Sequence, residues 1–404
     1  MEIAGNKLFA ENPENKRITR TPIKKFSLFS TSLIVLLPAR AFLDDLELGF
    51  LVVLFLFAFS IARLFTLAKV KKNFVIFFGI LFSILLYGYL VALINWDYPL
   101  YSLRGLVRYL SYFGIFFLSY YSHTRAKSLY SCYTLVVVIQ IAFCVFQKSY
   151  LGIERPYGTL INGNHVGYLL VPYFAFTLVC YRMYFRSVLI FIFSLYLSGI
   201  GGAISLIIIV AGFFTTQANF KAKLLALVIL PLIAFSFVYA LQDRIEDQVE
   251  GFSIFEERLE SGKPGGDGGS LLWRVVTWNL MLKEATERGG LIYGMGIDYA
   301  SSVSPYFLDA SPREPHNDYV RILLEFGVFG IFFYILFLIY IFFYFNKYGK
   351  SDRSAASITL IIVSFSLAQL VANVITQSTS MWFFIAFIGI FLRDSKSSRC
   401  SNGN

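Results

Sequence analysis

The stretch Ser311–Gly330, SPREPHNDYVRILLEFGVFG, marks the point where a long polar segment becomes an apolar run. The chain has three histidines, and His316 is the one framed by Arg313 and Glu314 on one side and Asn317 and Asp318 on the other. Asn317 or Asp318 can cap the first turn of a helix entering that run, because a short polar side chain accepts from the exposed N–H groups there. A charged cluster at the mouth of an apolar helix points to a membrane protein with its chemistry at the interface.

Composition agrees with this reading. Hydrophobic residues make up 57% and charged residues 15%, with 44 Phe in 404 positions, which excludes a water-soluble globule. The net charge of +10 does not signal nucleic acid, since Lys and Arg fall in short loops between apolar runs, where membrane topology places them. Cys132, Cys144 and Cys180 lie in apolar segments and Cys400 in the tail, so neither a disulfide frame nor a metal spacing appears. No metal and no cofactor are expected.

Working outward from Ser311–Gly330, apolar runs fall near 26–38, 46–62, 73–94, 105–121, 128–147, 166–181, 187–198, 200–216, 224–241, 319–345, 355–375 and 380–392. These predict an all-α fold, a polytopic transmembrane bundle of about 12 helices with a large, partly helical periplasmic loop. Its divisions are a basic cytoplasmic N-terminus at 1–25, transmembrane helices at 26–241, the outer loop at 242–317, three further helices at 318–392 and a cytoplasmic tail at 393–404. Ala39-Arg40-Ala41 has the small-x-small pattern of a signal-peptidase site, but the basic region before it is unusually long and the first run is read as a span. The break at Ser198-Gly199-Ile200-Gly201-Gly202 is decided by loop charge: two passes keep the later Lys and Arg clusters on the side of the N-terminus, and one pass would put them outside. Trp96, Trp273, Trp278 and Trp382 then all fall on the outer side, as interfacial anchors or as sugar platforms.

Two outer segments are too polar and too long for simple connectors. The first is Lys148–His165, KSYLGIERPYGTLINGNH, and the second runs from about Gln242 to His316. The second opens with a charged helical pattern, breaks in a Gly-rich run at Gly262–Gly269 and resumes as SLLWRVVTWNLMLKEATERGG. Leu271, Val275, Trp278 and Leu282 share a helical face there, which predicts an amphipathic helix on or over the membrane mouth.

Three stretches together resemble the O-antigen ligase and O-antigen polymerase superfamily of bacterial surface-polysaccharide proteins. They are Arg155-Pro-Tyr-Gly-Thr-Leu-Ile-Asn162-Gly-Asn164-His165; Arg274-Val-Val-Thr-Trp278 followed by Gly294-Met-Gly296; and His316-Asn317-Asp-Tyr319 with Glu325, Gly327 and Gly330 behind it. The resemblance implies a metal-independent glycosyltransferase of the inner membrane, with both termini cytoplasmic. Its partners would be a polyprenyl-pyrophosphate-linked oligosaccharide, an acceptor glycan, the bilayer and a chain-length regulator. The family often carries Ser-Arg-Gly at a central outer turn, and ligases are thought to use that arginine; here the turn reads Ser198-Gly-Ile-Gly-Gly202. Polymerase is therefore preferred to ligase.

The chemistry of such a transfer assigns the remaining roles. Arginine suits a pyrophosphate at the interface because its planar fork binds phosphate bidentately and stays charged. Arg104 and Arg108, four residues apart on one face, either bind substrate phosphate or snorkel toward headgroups. His316 is the candidate base for the acceptor hydroxyl, with His165 second, since an unperturbed imidazole titrates near about pH 6.5. Arg274, with Arg155 or Arg313, would stabilise the departing pyrophosphate. Asn162, Asn164, Asn317 and Tyr319 are candidate sugar ligands, Asn164 and Asn317 being equally good caps. Arg321 and Glu325 are spaced to pair within the bundle, with Glu325 about 14 Å below His316 on a straight helix. Two rival readings remain: a polyprenyl-phosphate glycosyltransferase using Asp44, Asp45 and Glu47 in the first outer loop, and a lipid-linked sugar flippase.

Overall fold

Apolar runs without water contact must satisfy their own backbone polar groups, and helices do so segment by segment. The computed structural model describes residues 72–95, 99–121, 124–153, 156–158, 160, 163–197, 200–216, 269–303, 315–349, 352–376 and 378–401, with single residues at 58 and 260. Every regular element among the described residues is a helix. In chain order these are α1 (Lys72–Asn95), α2 (Pro99–Tyr121), α3 (Ala126–Ser149), α4 (Gly163–Ala175), α5 (Tyr184–Leu197), α6 (Ile200–Thr216), α7 (Gly269–Glu287), α8 (Gly290–Tyr293), α9 (Asp318–Gly349), α10 (Arg353–Ala368) and α11 (Ser378–Ser401). Wider π turns follow α4 at Phe176–Cys180 and α8 at Tyr299–Val303. The expected runs at 26–38, 46–62 and 224–241, the charged pattern after Gln242 and the loop carrying Asp44, Asp45 and Glu47 lie outside the described residues.

The run read as either one long helix or two is resolved into α5 and α6, which pack on each other. The apolar run at 355–375 stops being helical at Ala368, and residues 369–376 continue as turns that meet the start of α9. Both α3 and α9 are long and apolar enough to cross a bilayer, and five shorter apolar segments accompany them. Leu135, Phe329 and Phe343 are each more than 60% exposed, an arrangement that suits lipid rather than water.

Close approach of backbones holds the bundle, since lipid supplies no hydrophobic drive between helices. On α11, a methyl added to Gly389 would sit 2.9 Å from the Phe116 carbonyl oxygen of α2. Trp382 Nε1 of the same helix donates to Ser111 Oγ at 3.1 Å. Across from them, Ser364 Oγ of α10 donates to the Ser205 carbonyl of α6 at 3.0 Å. Between these contacts Tyr133 stacks on Phe383 with ring centres 3.9 Å apart, and Phe176 on Phe387 at 3.8 Å.

A smaller apolar cluster of Met281, Ala285, Met295, Tyr299, Ala300 and Leu324 joins α7, the segment after α8 and the start of α9. The apolar face expected on α7 is only partly covered among the described residues. The fully buried apolar face is Leu272, Val276 and Leu280, with Met281 and Ala285 beside it, whereas Val275, Trp278 and Leu282 are half-buried. The helix is covered on more than one side, so the face with the largest side chains is not the one buried deepest.

Candidate functional site

The segment Pro315–Asp318 is fixed from three directions. Asn317 caps α9: its side-chain oxygen accepts from Tyr319 N at 2.9 Å and Val320 N at 3.0 Å. The same amide donates through Nδ2 to the Leu370 carbonyl at 2.9 Å. Asp318 is fully buried; its backbone N–H donates to the Gln369 carbonyl and its Oδ2 accepts from Ile375 N, both at 2.9 Å. Trp278 Nε1 of α7 donates to the Pro315 carbonyl at 2.6 Å. The Trp273 ring, one turn earlier, meets the His316 ring edge-on with centres 5.9 Å apart.

His316 is thus half-buried between a tryptophan and a capped helix start, and its φ of 52° puts it in the left-handed region. Such a conformation costs a non-glycine residue about 1–3 kcal/mol and persists where the surroundings impose it. Here the Trp278 bond before His316 and the Asn317 cap after it impose it.

Arg274 lies on α7 next to Trp273 and one turn before Trp278, so it belongs to the part of the helix that holds this segment. Its Nε is buried and has no hydrogen-bond acceptor among the described residues. Burial pushes the guanidinium below its usual pKa, against a smaller opposing pull from Tyr168. Tyr168 is a buried residue of α4, one turn beyond His165, and both Arg274 and Asp318 act electrostatically on it. The start of α4, Arg274 on α7 and the start of α9 therefore converge. These are the three stretches that the sequence singles out.

A second device sets the far end of this arm of α9. Gly327 has φ 70° and ψ −171°, so the helix breaks there. A break frees carbonyls of the preceding turn, and these find donors in the Gly294-Met295-Gly296 loop: Met295 N donates to the Leu324 carbonyl at 2.7 Å and Gly296 N to the Glu325 carbonyl at 3.1 Å. The three glycines are needed for closeness. A methyl would sit 2.5 Å from Glu325 O at Gly294, 2.6 Å from Ala92 Cα at Gly296 and 2.2 Å from Ile292 O at Gly327.

Next to this clamp the expected Arg321–Glu325 pair is present, with Nη1 to Oε1 at 3.7 Å and both side chains fully buried. Asp298 joins it, 3.9 Å from the same Nη1. Asp298 was not anticipated; the signal was an acidic residue two positions beyond a Gly-x-Gly loop. Its carboxyl carbon lies over Gly105, 3.2 Å from where a methyl there would be, which ties the cluster to α2.

The other candidates divide. Arg104 is exposed, whereas Arg108, one turn on, is half-buried and close enough to act electrostatically on Glu325 and Tyr109. The two arginines share a helix but face different surroundings. The Tyr319 hydroxyl donates to the Ser366 carbonyl at 2.8 Å, and Asn317 is engaged at both ends of its amide. Arg155 and Arg313 lie outside the described residues, as does the side chain of Asn164, whose backbone forms the second residue of α4.

Comparison with known proteins gives a family likeness for part of the chain. None of the curated proteins matches the chain. Residues 186–335 match the family model described as O-antigen ligase, a stretch that contains Arg274, the Gly294–Gly296 loop, His316, Asn317 and Gly327. That family is a membrane family of glycosyltransferase-like enzymes acting on lipid-linked glycans. Over residues 186–335, from α5 into α9, the chain is similar to the O-antigen ligase family.

Proposed function

We propose that this chain is an O-antigen polymerase of the bacterial inner membrane, transferring a growing glycan from polyprenyl pyrophosphate to the end sugar of an incoming lipid-linked repeat unit at the periplasmic face. The observation that carries the reading is the buried Nε of Arg274, which lacks an acceptor among the described residues, on the helix that holds the His316 segment. A half-buried guanidinium with a buried N–H to spare is a site for an anion, and a phosphate oxygen meets its geometry.

The transfer needs two separate acts. The acceptor hydroxyl attacks the anomeric carbon while His316 takes its proton; the bond from that carbon to the pyrophosphate oxygen breaks, and the electron pair leaves with the pyrophosphate. Arg274, assisted by Arg155 or Arg313, meets the growing charge. Preorganised donors of this kind are worth about 10²–10³ in rate each. Asn164 and the outer arginine Arg104 are further candidates for substrate contact. Asn317 and Arg108 act by position, one holding His316 at the helix start and the other close to the buried acidic cluster. No step in this scheme requires a metal, and transfer should persist in chelator. A chain-length regulator is the expected protein partner.

The matched family model is described as a ligase, which makes transfer to lipid A core the second reading. Both are tested by a gel of surface glycans from a strain lacking the gene, restored with wild type or with His316→Ala. A deletion that leaves lipid A core bearing a single repeat unit identifies the polymerase; bare core with long lipid-linked polymer identifies the ligase. Full restoration by His316→Ala would remove the histidine from the mechanism.

A further inference from the structure

Gly79, Ser83, Tyr87, Val91 and Ile94 recur along one face of α1 and line two adjoining clefts. The larger, about 630 Å³, is walled on the opposite side by Phe326, Phe329 and Phe333 of α9. The smaller, about 290 Å³, shares Tyr293 with it and ends at Arg288. At the junction the Tyr87 hydroxyl donates to the Tyr293 carbonyl at 2.7 Å, tying α1 to α8. Gly79 and Ile94 are fifteen residues apart, so the two clefts, taken together as one groove, extend over about 22 Å of the helix. It is apolar for most of its length and closes on a guanidinium whose side chain is 52% exposed, although Glu284 lies 3.3 Å from it. A long apolar trough ending in a cation has the outline of an amphiphile with an anionic head.

The position of that cation narrows the occupant. Arg288 continues the hydrogen bonding of α7, its N–H donating to the Glu284 carbonyl at 3.1 Å. Arg274 is fourteen residues earlier on the same helix and so about 21 Å away. One lipid pyrophosphate cannot occupy both ends. In a polymerase two lipid-linked glycans meet: the donor gives up its pyrophosphate, while the acceptor keeps its own at the far end of the sugars it presents. Resting on the polymerase reading, we propose that the groove between α1 and α9 holds the isoprenoid chain of the acceptor, with Arg288 at its retained pyrophosphate. The repeat unit then spans the length of α7, from Arg288 to the reacting hydroxyl at His316. An ordinary phospholipid also fits an apolar trough, but nothing ties a phospholipid head to a fixed distance from Arg274.

The test uses the full chain in lipid nanodiscs with a photoreactive polyprenyl diphosphate and, separately, a photoreactive phospholipid. Two variants accompany wild type. A side chain at Gly79 meets nothing within 4 Å at its Cβ, so Gly79→Leu fills the groove without a clash and improves helix propensity. Arg288→Gln removes the cation. The expected result is polyprenyl labelling confined to α1 and to residues 326–333, cut at least several-fold by Gly79→Leu. Arg288→Gln should weaken capture of the diphosphate but not of the matching uncharged polyprenol. In a transfer assay Gly79→Leu should raise KM for the acceptor and leave the donor's unchanged. Labelling that excess phospholipid competes away as well as polyprenyl diphosphate does, or that ignores Gly79→Leu, overturns the groove. Transfer by wild type without labelling of the groove overturns this proposal alone. Labelling without transfer overturns the polymerase reading, and the acceptor assignment with it.

Discussion

Gly327→Ala tests whether the broken helix is what sets the site. At φ 70° and ψ −171° the position lies in a region essentially reserved for glycine, and occupying it with alanine costs about 1–3 kcal/mol. The methyl would also fall 2.2 Å from Ile292 O and 2.8 Å from Gly294 N, backbone atoms that no rotamer change can clear. Relief requires residues 292–294 to back away from α9. The two hydrogen bonds from Met295 N and Gly296 N to α9 are then lost, at about 0.5–1.5 kcal/mol net each. Together the loss is about 2–6 kcal/mol, concentrated on the arm that carries His316. Misplacement of a reacting group by about 1 Å can lower a rate by about 10²-fold, so transfer should fall at least tenfold while the protein stays in the membrane. The assay pairs glycan transfer in isolated membranes with a thermal midpoint in detergent. Gly152→Ala serves as the control, since Gly152 also has positive φ, at 65°, but open space around it. Wild-type transfer and midpoint in Gly327→Ala, or equal damage from Gly152→Ala, would refute the reasoning.

Three further outcomes follow from neighbouring contacts. Asn317→Ala should lose about 1 kcal/mol of capping and release His316, lowering transfer, whereas Asn317→Asp, which can still cap α9, should recover most of the stability in a melting series. Burial raises the Glu284 carboxyl above its usual range, only partly offset by Tyr299 and Arg288, so its ionised form is disfavoured in the folded chain. The unfolded chain ionises first as pH rises, and wild type should lose stability relative to Glu284→Gln from about pH 4.5 upward, with the two melting alike below it. Arg321→Met alone leaves two carboxylates buried and should cost about 3–5 kcal/mol, seen as poor recovery from membranes; adding Glu325→Leu and Asp298→Asn should restore most of it.

What sequence could and could not carry is visible in particular residues. The helix starting at Asp318 and its cap were legible because capping is local: Asn317 reaches two and three residues ahead. The Arg321–Glu325 spacing was legible for the same reason. Asp298 was not, because its partner lies 23 positions away and is reached only through the fold of the Gly294–Gly296 loop. Trp273 and Trp278 were read as anchors or sugar platforms. In the fold they grip Pro315 and His316, a contact across some 40 residues that no periodicity reveals. The burial of Leu272, Val276 and Leu280 on α7 was not legible, because it depends on contacts with segments distant in sequence, while Trp278 stays half-covered at the Pro315 carbonyl.

The kink at Gly327 also changes the meaning of the apolar run behind His316. As one straight helix, the 32 residues of α9 would extend about 48 Å, well beyond a hydrocarbon core of about 30 Å. The 22 residues after Gly327 reach about 33 Å and suffice to span it. The nine residues before it are thereby free of that task and carry the Arg321–Glu325 pair. The roughly 14 Å from His316 to Glu325 lies wholly before the break. The arm is held at its start by Leu370, Gln369, Ile375 and Trp278, and at its end by the glycine loop. With both ends pinned and a buried ion cluster between them, the histidine cannot shift without breaking contacts at the far end. That coupling is why a glycine eleven residues from His316 should govern transfer.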